Sequence, residues 1–292
     1  MEETKQGLGR RLYQYQIERF PLVFLLPTTL AIIVSTLAVL ELDGYYAEWW
    51  KYALLAVAGL SFLLHTRVID ELRDKEVDDV HHPDRPLQRG LIIEKEILRI
   101  GYWNGGIFIS IHIVLDPLSG LLSAGLLLYS ILARYEVGPL AMLKPHFWLY
   151  NVIMLMQMLL LQLVAYAAIS KTLQWSENIW WHALGVFALS ALVEAARKCL
   201  PPDEETAYRD SYSSRLGIWG SAVVTLLIGL LSMWLYAQIP GVSQLYLWLS
   251  ILPLLLGALR YANKPDKKGK YGIQAGAVLS YILLNLVVWL EL

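Results

Sequence analysis

The stretch Val152–Val164 reads VIMLMQMLLLQLV and carries no charged residue. A second run over Val224–Tyr236, VTLLIGLLSMWLY, has the same apolar character. A bilayer core about 30 Å thick needs roughly 20 mostly apolar residues for each helical crossing, and both runs extend toward that length. Neither run alternates apolar and polar residues as a strand of a membrane β-barrel does. The two stretches therefore predict membrane-spanning helices.

Seven more segments of the chain share this hydropathy. The nine candidate spans run over 21–40, 49–69, 97–115, 118–133, 147–169, 179–193, 217–237, 245–262 and 272–290. One such segment is compatible with the core of an unusually apolar soluble protein, whereas nine indicate a polytopic membrane protein. We predict an all-α membrane bundle of about nine transmembrane helices around a central cavity, folded as a single domain over residues 1–292.

The composition agrees with a membrane protein and excludes several other classes. The chain is 57% hydrophobic and 17% charged, whereas soluble domains average about 45–50% and about 25%. This composition excludes a disordered chain, and the single cysteine, Cys199, excludes a disulfide scaffold. A formal net charge of −1 is not the basic footprint of a nucleic-acid-binding protein. The expected partner is the lipid bilayer, with no nucleic acid and no evident obligate protein partner.

The positively charged residues indicate an orientation, because cytoplasmic loops collect Lys and Arg. If the N-terminus lies inside, the outer loops contain only Lys51 and Lys171 of all these residues. Residues 1–20 are polar and lack the apolar core of a cleavable signal. We therefore expect a multi-pass protein whose N-terminus and long loops, 70–96 and 194–216, are cytoplasmic, with the C-terminus on the opposite side.

The first long loop opens with four closely spaced carboxylates, Asp70, Glu71, Asp74 and Asp78. Intervals of four residues place three of them along one stripe of a helix that continues out of the second span. Carboxylates stacked in this way repel each other unless a cation lies between them. Their oxygen atoms suit Mg²⁺, which typically binds one or two carboxylates together with substrate phosphates. The alternative is a solvated helix end with ion pairs such as Glu71 with Lys75.

Together with the segment that follows, these acids resemble the UbiA-type intramembrane prenyltransferases. In that family the motif N-D-x-x-D-x-x-x-D precedes R-P-D-R-P-[IL]-x-x-G. Arg67 matches the arginine three residues before the family's first motif, and 83–90 matches most of the second. The chain departs from the family at Asp70, where Asn is usual, at Glu71, where Asp is usual, and at His82, where Arg is usual. Both acids keep oxygen ligands, whereas His82 removes one expected phosphate contact.

The family has a second acidic motif, D-x-x-x-D, after its sixth span. Here Glu194 matches the first acid, and Lys198 stands in place of the second. In one interpretation Glu194 binds metal while Arg197 and Lys198 hold a diphosphate. In another, the triplet 203–205 folds back to supply ligands, and the simplest alternative leaves that triplet as a solvated loop. A stretch of about ten residues is inserted relative to the family before 210–217, which resembles the lead into the seventh span.

Three further residues are candidates for the site. Two match residues of the family, and the third is a polar residue at membrane depth. Tyr129 and Arg134 match a tyrosine and a base that end the family's fourth span, although an ordinary positive-inside anchor explains Arg134 equally well. Asn151 is expected to line a cavity, because polar groups at membrane depth usually face the bundle interior. Four more residues satisfy this rule, and interhelical hydrogen bonds account for them equally well. These are His112, Gln157, Gln162 and Asn285.

The resemblance implies a Mg²⁺-dependent prenyltransferase that moves an isoprenyl group from an isoprenyl diphosphate to a lipophilic, most often aromatic, acceptor. It assigns Mg²⁺ to Asp70, Glu71, Asp74, Asp78 and Glu194. Of these it makes Asp70, Asp74, Asp78 and Glu194 catalytic. It assigns the diphosphate to Arg67, Arg85, Arg134, Arg197 and Lys198.

Two other functions are open. Some relatives are terpene cyclases, which act on a prenyl diphosphate without an acceptor, and the unusual second motif is compatible with this activity. A transporter is the third possibility. Transporters place polar sites near the bilayer midplane, whereas these carboxylates gather at one face of the membrane, and this favours an enzyme.

Overall fold

A computed structural model describes residues 7–143, 145–205 and 211–292. Within these ranges every regular element is a helix, which confirms the all-α prediction. Asp210, in the predicted lead into the seventh span, lies outside the described residues, as do the first six residues of the N-terminal segment.

Nine of the described helices are long and apolar enough to cross a bilayer, as predicted. They are α2 (Leu22–Leu42), α3 (Trp49–Arg73), α5 (Glu94–Leu115), α6 (Pro117–Arg134), α7 (Phe147–Ser170), α8 (Glu177–Arg197), α9 (Tyr212–Tyr236), α10 (Gln244–Asn263) and α11 (Lys267–Glu291). Shorter elements are α1 (Leu8–Arg19), α4 (Lys75–His81) and a 3₁₀ helix over Gly138–Leu143. The helix α1 was not predicted, because its sequence is polar and short.

The described residues group into two compact units. The first comprises Met1–Thr29 and Glu48–Lys144, and the second Leu30–Ala47 and Pro145–Leu292, as far as these ranges are described. In the first unit α5 packs against both α3 and α6. In the second unit α8 packs against α7 and α9, and α10 packs against α9 and α11.

Several helices begin at side chains that satisfy the free amides of the first turn. Asp116 accepts hydrogen bonds from the amides of Leu118 and Ser119 at the start of α6. Asp266 accepts from the amide of Gly269 at 2.7 Å, where α11 begins. Such N-caps typically contribute about 0.5–2 kcal/mol. They let a helix begin sharply at the end of a loop.

The helix that carries the first acidic motif differs from the prediction of one continuous helix. Asp74 (φ −88°, ψ 2°) is the single residue between α3, which ends at Arg73, and α4, which begins at Lys75. The amides of Asp74 and Asp78 still bond to the carbonyls of Asp70 and Asp74, respectively. Asp78 therefore belongs to a separate short helix, α4, and the predicted single stripe is bent at its middle.

Buried polar side chains of the second unit form a connected set of hydrogen bonds. His182 lies with Nδ1 2.5 Å from the Tyr166 hydroxyl and with Nε2 2.9 Å from Ser35 Oγ. Ser35 donates to Asn285 Oδ1 at 2.7 Å, and Tyr236 donates to the same oxygen at 3.0 Å. Unpaired polar groups are costly in hydrocarbon, so these bonds hold five helices of the unit in register. The predicted interior positions of His112, Gln157, Gln162 and Asn285 are confirmed by their burial.

Glycines allow α10 and α11 to approach closely. A Cβ on Gly276 would lie 2.4 Å from the carbonyl oxygen of Pro253 and 3.1 Å from the Cα of Leu254. A Cβ on Gly257 would lie 2.4 Å from the carbonyl oxygen of Gly272. Small residues of this kind drive helix association in membranes, because packing replaces the hydrophobic effect there.

We expect Gly276→Ala to destabilise the protein by about 1–3 kcal/mol, because the obstructing atoms belong to a backbone that cannot rotate away. The measurement is thermal unfolding of the purified protein in detergent. Gly106→Ala is the matched control, since a Cβ at that position would meet no described atom within 4 Å apart from the backbone of α5 itself. An unchanged unfolding midpoint for Gly276→Ala would contradict the close packing of α10 on α11.

Candidate functional site

The last turn of α3 begins the acidic motif and places Asp70 beside two arginines. Arg134, the final residue of α6, donates a hydrogen bond to Asp70 Oδ1. Arg73 Nη2 lies 3.5 Å from the same oxygen. Arg134 Nε is buried and has no hydrogen-bond partner among the described residues. Arg134 therefore pairs directly with the motif, which an anchoring role alone does not require.

Glu71 is the most deeply buried acid of the motif, with 1% of its surface exposed. Its Oε1 accepts hydrogen bonds from Arg67 Nη2 at 2.8 Å and from Arg19 Nε at 2.6 Å. Its Oε2 is also buried but accepts no hydrogen bond from any residue the structure describes. The predicted alternative pair with Lys75 is not formed, since Lys75 lies instead 3.8 Å from Asp79 and 4.0 Å from Glu94.

The remaining two acids are paired with arginines from different segments. Asp74 accepts two hydrogen bonds from its neighbour Arg73, at 2.7 and 2.8 Å. Asp78 is buried and pairs with Arg85 of the following loop. Gly90 lies later in that loop with a φ of 80°, a conformation that glycine adopts without strain. The ion pair with Asp78 places Arg85 beside α4.

These carboxylates offer the oxygen atoms that Mg²⁺ prefers, but the described residues do not supply a complete set of ligands for it. Across the described ranges, no three or more His, Cys, Asp or Glu side chains come together as a metal-binding group. Mg²⁺ usually needs one or two carboxylates, because waters and substrate phosphates supply its other ligands. The buried Glu71 Oε2, for which the described chain offers no donor, is an oxygen suited to such a cation. The donor set therefore fits a Mg²⁺ ion that arrives with phosphate groups.

The helix α1 joins this site although sequence reasoning did not place it there. Arg11 donates two hydrogen bonds to Glu96, at 2.7 and 2.9 Å. Arg89 donates two to Glu18, at 2.8 and 2.9 Å, and this hydrogen bonding lowers the pKa of Glu18. With Arg19 on Glu71, α1 is held by three ion pairs. The available sequence signal was a basic residue in the last turn of an otherwise polar helix.

Tyr15 of α1 is a further polar group beside the motif. It is buried and packs against Val68 of α3 and Leu87 of the loop. Its hydroxyl finds no hydrogen-bond partner within the described part of the chain. Burial raises the pKa of this phenol, and the negative charge of Glu71 raises it further. Tyr129, the tyrosine predicted from the family, is partly buried on α6.

The second unit contains the residues predicted from the second acidic motif. Lys198 follows the end of α8, and its Nζ donates to Asn151 Oδ1 at 2.7 Å and lies 3.4 Å from Glu194 Oε1. Arg197 donates to both carboxylate oxygens of Glu194, at 2.7 and 2.8 Å. The structure therefore brings Asn151 together with Glu194 and Lys198, a contact that sequence spacing did not indicate.

Aromatic residues that sequence reasoning missed lie beside Lys198. Lys198 Nζ lies 5.5 Å from the centre of the Phe147 ring, and the Arg215 guanidinium carbon lies 4.6 Å from it. Tyr212 packs edge-on against Phe147 with ring centres 5.4 Å apart. Cations within about 6 Å of a ring are attracted to its face. Phe147 therefore stabilises two positive charges near Glu194.

The triplet 203–205 has contacts of its own. Glu204 pairs with Lys270 of α11. Glu205 accepts a hydrogen bond from Ser211 at 2.6 Å, while Asp203 is exposed. Neither Glu194 nor this triplet belongs to a three-ligand metal group among the residues described. The contacts of Glu204 and Glu205 show that the triplet is not a purely solvated loop, while the fold-back of these acids onto a metal ion stays a prediction.

Two solved structures have the same fold. A UbiA homologue from Aeropyrum pernix K1 matches with a TM-score of 0.63 at 15% identity, covering 87% of this chain and 94% of that chain. Digeranylgeranylglyceryl phosphate synthase matches with a TM-score of 0.60 at 14% identity, covering 97% of this chain and 98% of that chain. At these identities the likeness concerns the fold alone.

No curated protein sequence matches the chain at a significant level. The model of the UbiA prenyltransferase family does match, over residues 24–277, which is most of the chain and includes both acidic clusters. This match agrees with the nine apolar helices and with the motif around Asp70. The chain therefore belongs to the UbiA prenyltransferase family.

Proposed function

We propose that this protein is a Mg²⁺-dependent intramembrane prenyltransferase that transfers an isoprenyl group from an isoprenyl diphosphate to a lipophilic, aromatic acceptor. The observation that carries the proposal is that every acid of the first motif is paired with an arginine. Carboxylates suit Mg²⁺, and arginines suit phosphate oxygens. Membership in the family supplies the class of reaction.

The residues of the first unit have distinct roles in this proposal. Asp70, Glu71, Asp74 and Asp78 hold Mg²⁺, which when bound neutralises the charge of the diphosphate. Arg67, Arg85 and Arg134 donate hydrogen bonds to the phosphate oxygens as the bond between carbon and oxygen breaks. Donors that are already in place stabilise the charge developing on the leaving group, which is the main electrostatic contribution to such catalysis.

The residues of the second unit supply positive charge in a place where the family has an acid. Lys198 and Arg197 are proposed donors to the diphosphate, with Asn151 orienting the Lys198 ammonium through their 2.7 Å hydrogen bond. Glu194 stays a predicted metal ligand. Both of its oxygens accept hydrogen bonds from Arg197, and a carboxylate oxygen that accepts one hydrogen bond keeps a lone pair for a metal ion.

The apolar helices hold the isoprenyl tail, and the charged ends of α3 and α6 hold its head. We place these ends and the N-terminus in the cytoplasm, on the strength of the charge bias in the loops. Exclusion of water by the apolar surroundings protects the allylic cation, which water would otherwise quench. Tyr129 of α6 is proposed to line the path of this cation.

The acids of the first motif provide the most direct test. We expect Asp74→Asn and Asp78→Asn each to lower the rate of prenyl transfer by about 100-fold or more, because each removes a carboxylate ligand of the Mg²⁺ that stabilises the negative charge on the leaving diphosphate. The measurement is product formation by purified protein with Mg²⁺ and a panel of prenyl diphosphates.

Asp79→Asn is the matched control for these two variants. Asp79 is exposed on the same short helix as Asp78, and its ion pair with Lys75 spans 3.8 Å. Exposed pairs of this kind contribute little, so the control retains the wild-type rate. Full activity of both Asp74→Asn and Asp78→Asn would rule out the metal–diphosphate site.

Lys198 provides a separate test in the second unit. We expect Lys198→Met to raise the KM for prenyl diphosphate by roughly tenfold or more, since a hydrogen bond to a charged group is worth about 1.5–3 kcal/mol. The control is Lys264→Met, because the Lys264 side chain is 73% exposed. A KM that does not change would exclude Lys198 from the diphosphate site.

The fate of the prenyl group distinguishes transfer from cyclisation. We expect purified protein to form product from prenyl diphosphate and an aromatic acceptor, and to form none when the acceptor is omitted. A cyclic hydrocarbon made from the diphosphate alone would identify a terpene cyclase instead. Absence of any product with every diphosphate and acceptor, in protein that folds normally, would contradict both enzymatic functions.

A further inference from the structure

The helix α1 is attached to two different parts of the first unit. Arg11 and Glu18 connect it to Glu96, at the start of α5, and to Arg89 of the loop. Arg11 also donates to the carbonyl of Leu91 at 3.0 Å. Arg19, at the other end of the helix, reaches Glu71 of α3 at 2.6 Å. The helix therefore links the loop after the acidic motif to the motif itself.

The two oxygens of Glu71 have different surroundings. Oε1 is held from two directions, by Arg67 one turn earlier on α3 and by Arg19 from α1. Oε2 receives no hydrogen bond from the described residues, although the Glu71 side chain is wholly buried. Burial of a carboxylate oxygen without a partner is costly. A carboxylate that is fixed through one oxygen and receives no hydrogen bond at the other is oriented for a cation.

The two arginines on Glu71 restrain it differently. Arg67 lies on the same helix as Glu71, so their ion pair does not restrain Glu71 relative to any other element. Arg19 precedes Glu71 by 52 positions in the chain and approaches the same oxygen from a different helix, α1. Groups that hydrogen-bond to metal ligands set the orientation of those ligands, and their loss typically lowers metal affinity by about 10- to 100-fold.

We propose that Arg19 is a positioning residue of the active site, and that α1 orients Glu71 so that its second oxygen binds the divalent cation accompanying the prenyl diphosphate. This inference rests on the proposed function, because it assigns Glu71 as a ligand of that cation. It adds a role for an N-terminal helix that the acidic motif does not include. By reciprocity, cation binding at Glu71 stabilises the docked position of α1.

The test compares Arg19→Gln with Arg19→Lys and Arg10→Gln. Affinity for Mn²⁺ is measured by electron paramagnetic resonance in the presence of a prenyl thiodiphosphate, whose carbon–sulfur bond resists ionisation. We expect Arg19→Gln to weaken Mn²⁺ binding by about 10- to 100-fold. Arg19→Lys recovers part of the affinity, because it restores the charge but not the planar guanidinium geometry. Arg10→Gln, an exposed position on the same helix, has the affinity of the wild type.

A second measurement uses the wild-type protein and does not depend on the folding of any variant. Hydrogen exchange of the amides in Leu8–Arg19 is compared with and without Mn²⁺ and the thiodiphosphate. We expect exchange in α1 to slow when both are present. Unchanged exchange in α1, or wild-type Mn²⁺ affinity in Arg19→Gln, would overturn the positioning role of Arg19.

The outcomes separate this inference from the proposed function. If the wild-type protein makes prenylated product and Arg19→Gln binds Mn²⁺ as tightly as it does, the positioning role alone fails. If the wild-type protein binds no Mn²⁺ with the thiodiphosphate and forms no product, the metal-dependent function fails and the inference fails with it. If Arg19→Gln raises the Mn²⁺ requirement for turnover while Arg19→Lys lowers it again, both are supported.

Discussion

Compensation of buried negative charge is the constraint on which the first unit depends. Glu71 and Asp78 are almost completely buried, and a carboxylate removed from water without a partner is strongly destabilising. The chain satisfies this requirement with arginines from four separate elements. They are Arg19 of α1, Arg67 of α3, Arg85 of the loop and Arg134 of α6. Since the pairs of Arg19, Arg85 and Arg134 each join a different element to the motif, the same interactions that neutralise the acids also fix the positions of the surrounding segments.

The second unit is organised by the lipid environment. Hydrocarbon provides no hydrophobic attraction between helices, so close packing and hydrogen bonds have to hold them together. Glycines such as Gly257 and Gly276 allow the backbones of α10 and α11 to touch. His182 and Asn285 connect helices through fully buried hydrogen bonds. At the end of α8, Lys198 is itself held in place by Asn151 and by the Phe147 ring.

Local properties of the sequence were sufficient for much of this description. The spans follow from hydropathy summed over consecutive residues, and the acids of the first motif follow from their spacing within a single turn or two of helix. Contacts between distant elements were not predictable in the same way. The 2.6 Å contact of Arg19 with Glu71 joins residues 52 positions apart, and the contact of Lys198 with Asn151 joins residues 47 apart. The bend at Asp74 was missed because the residues on either side of it are compatible with a continuous helix.

By itself, the sequence determined an all-helical membrane protein with a motif of carboxylates and arginines after its second span. Both the spans and the motif can be recognised from residues that are close together in the chain. The tertiary structure alone decided which arginine meets which acid, and that one oxygen of Glu71 is held by two of them. The physical reason is that an ion pair depends on where two helices place their ends. That placement results from packing over the whole unit, and no periodic pattern in the sequence indicates it.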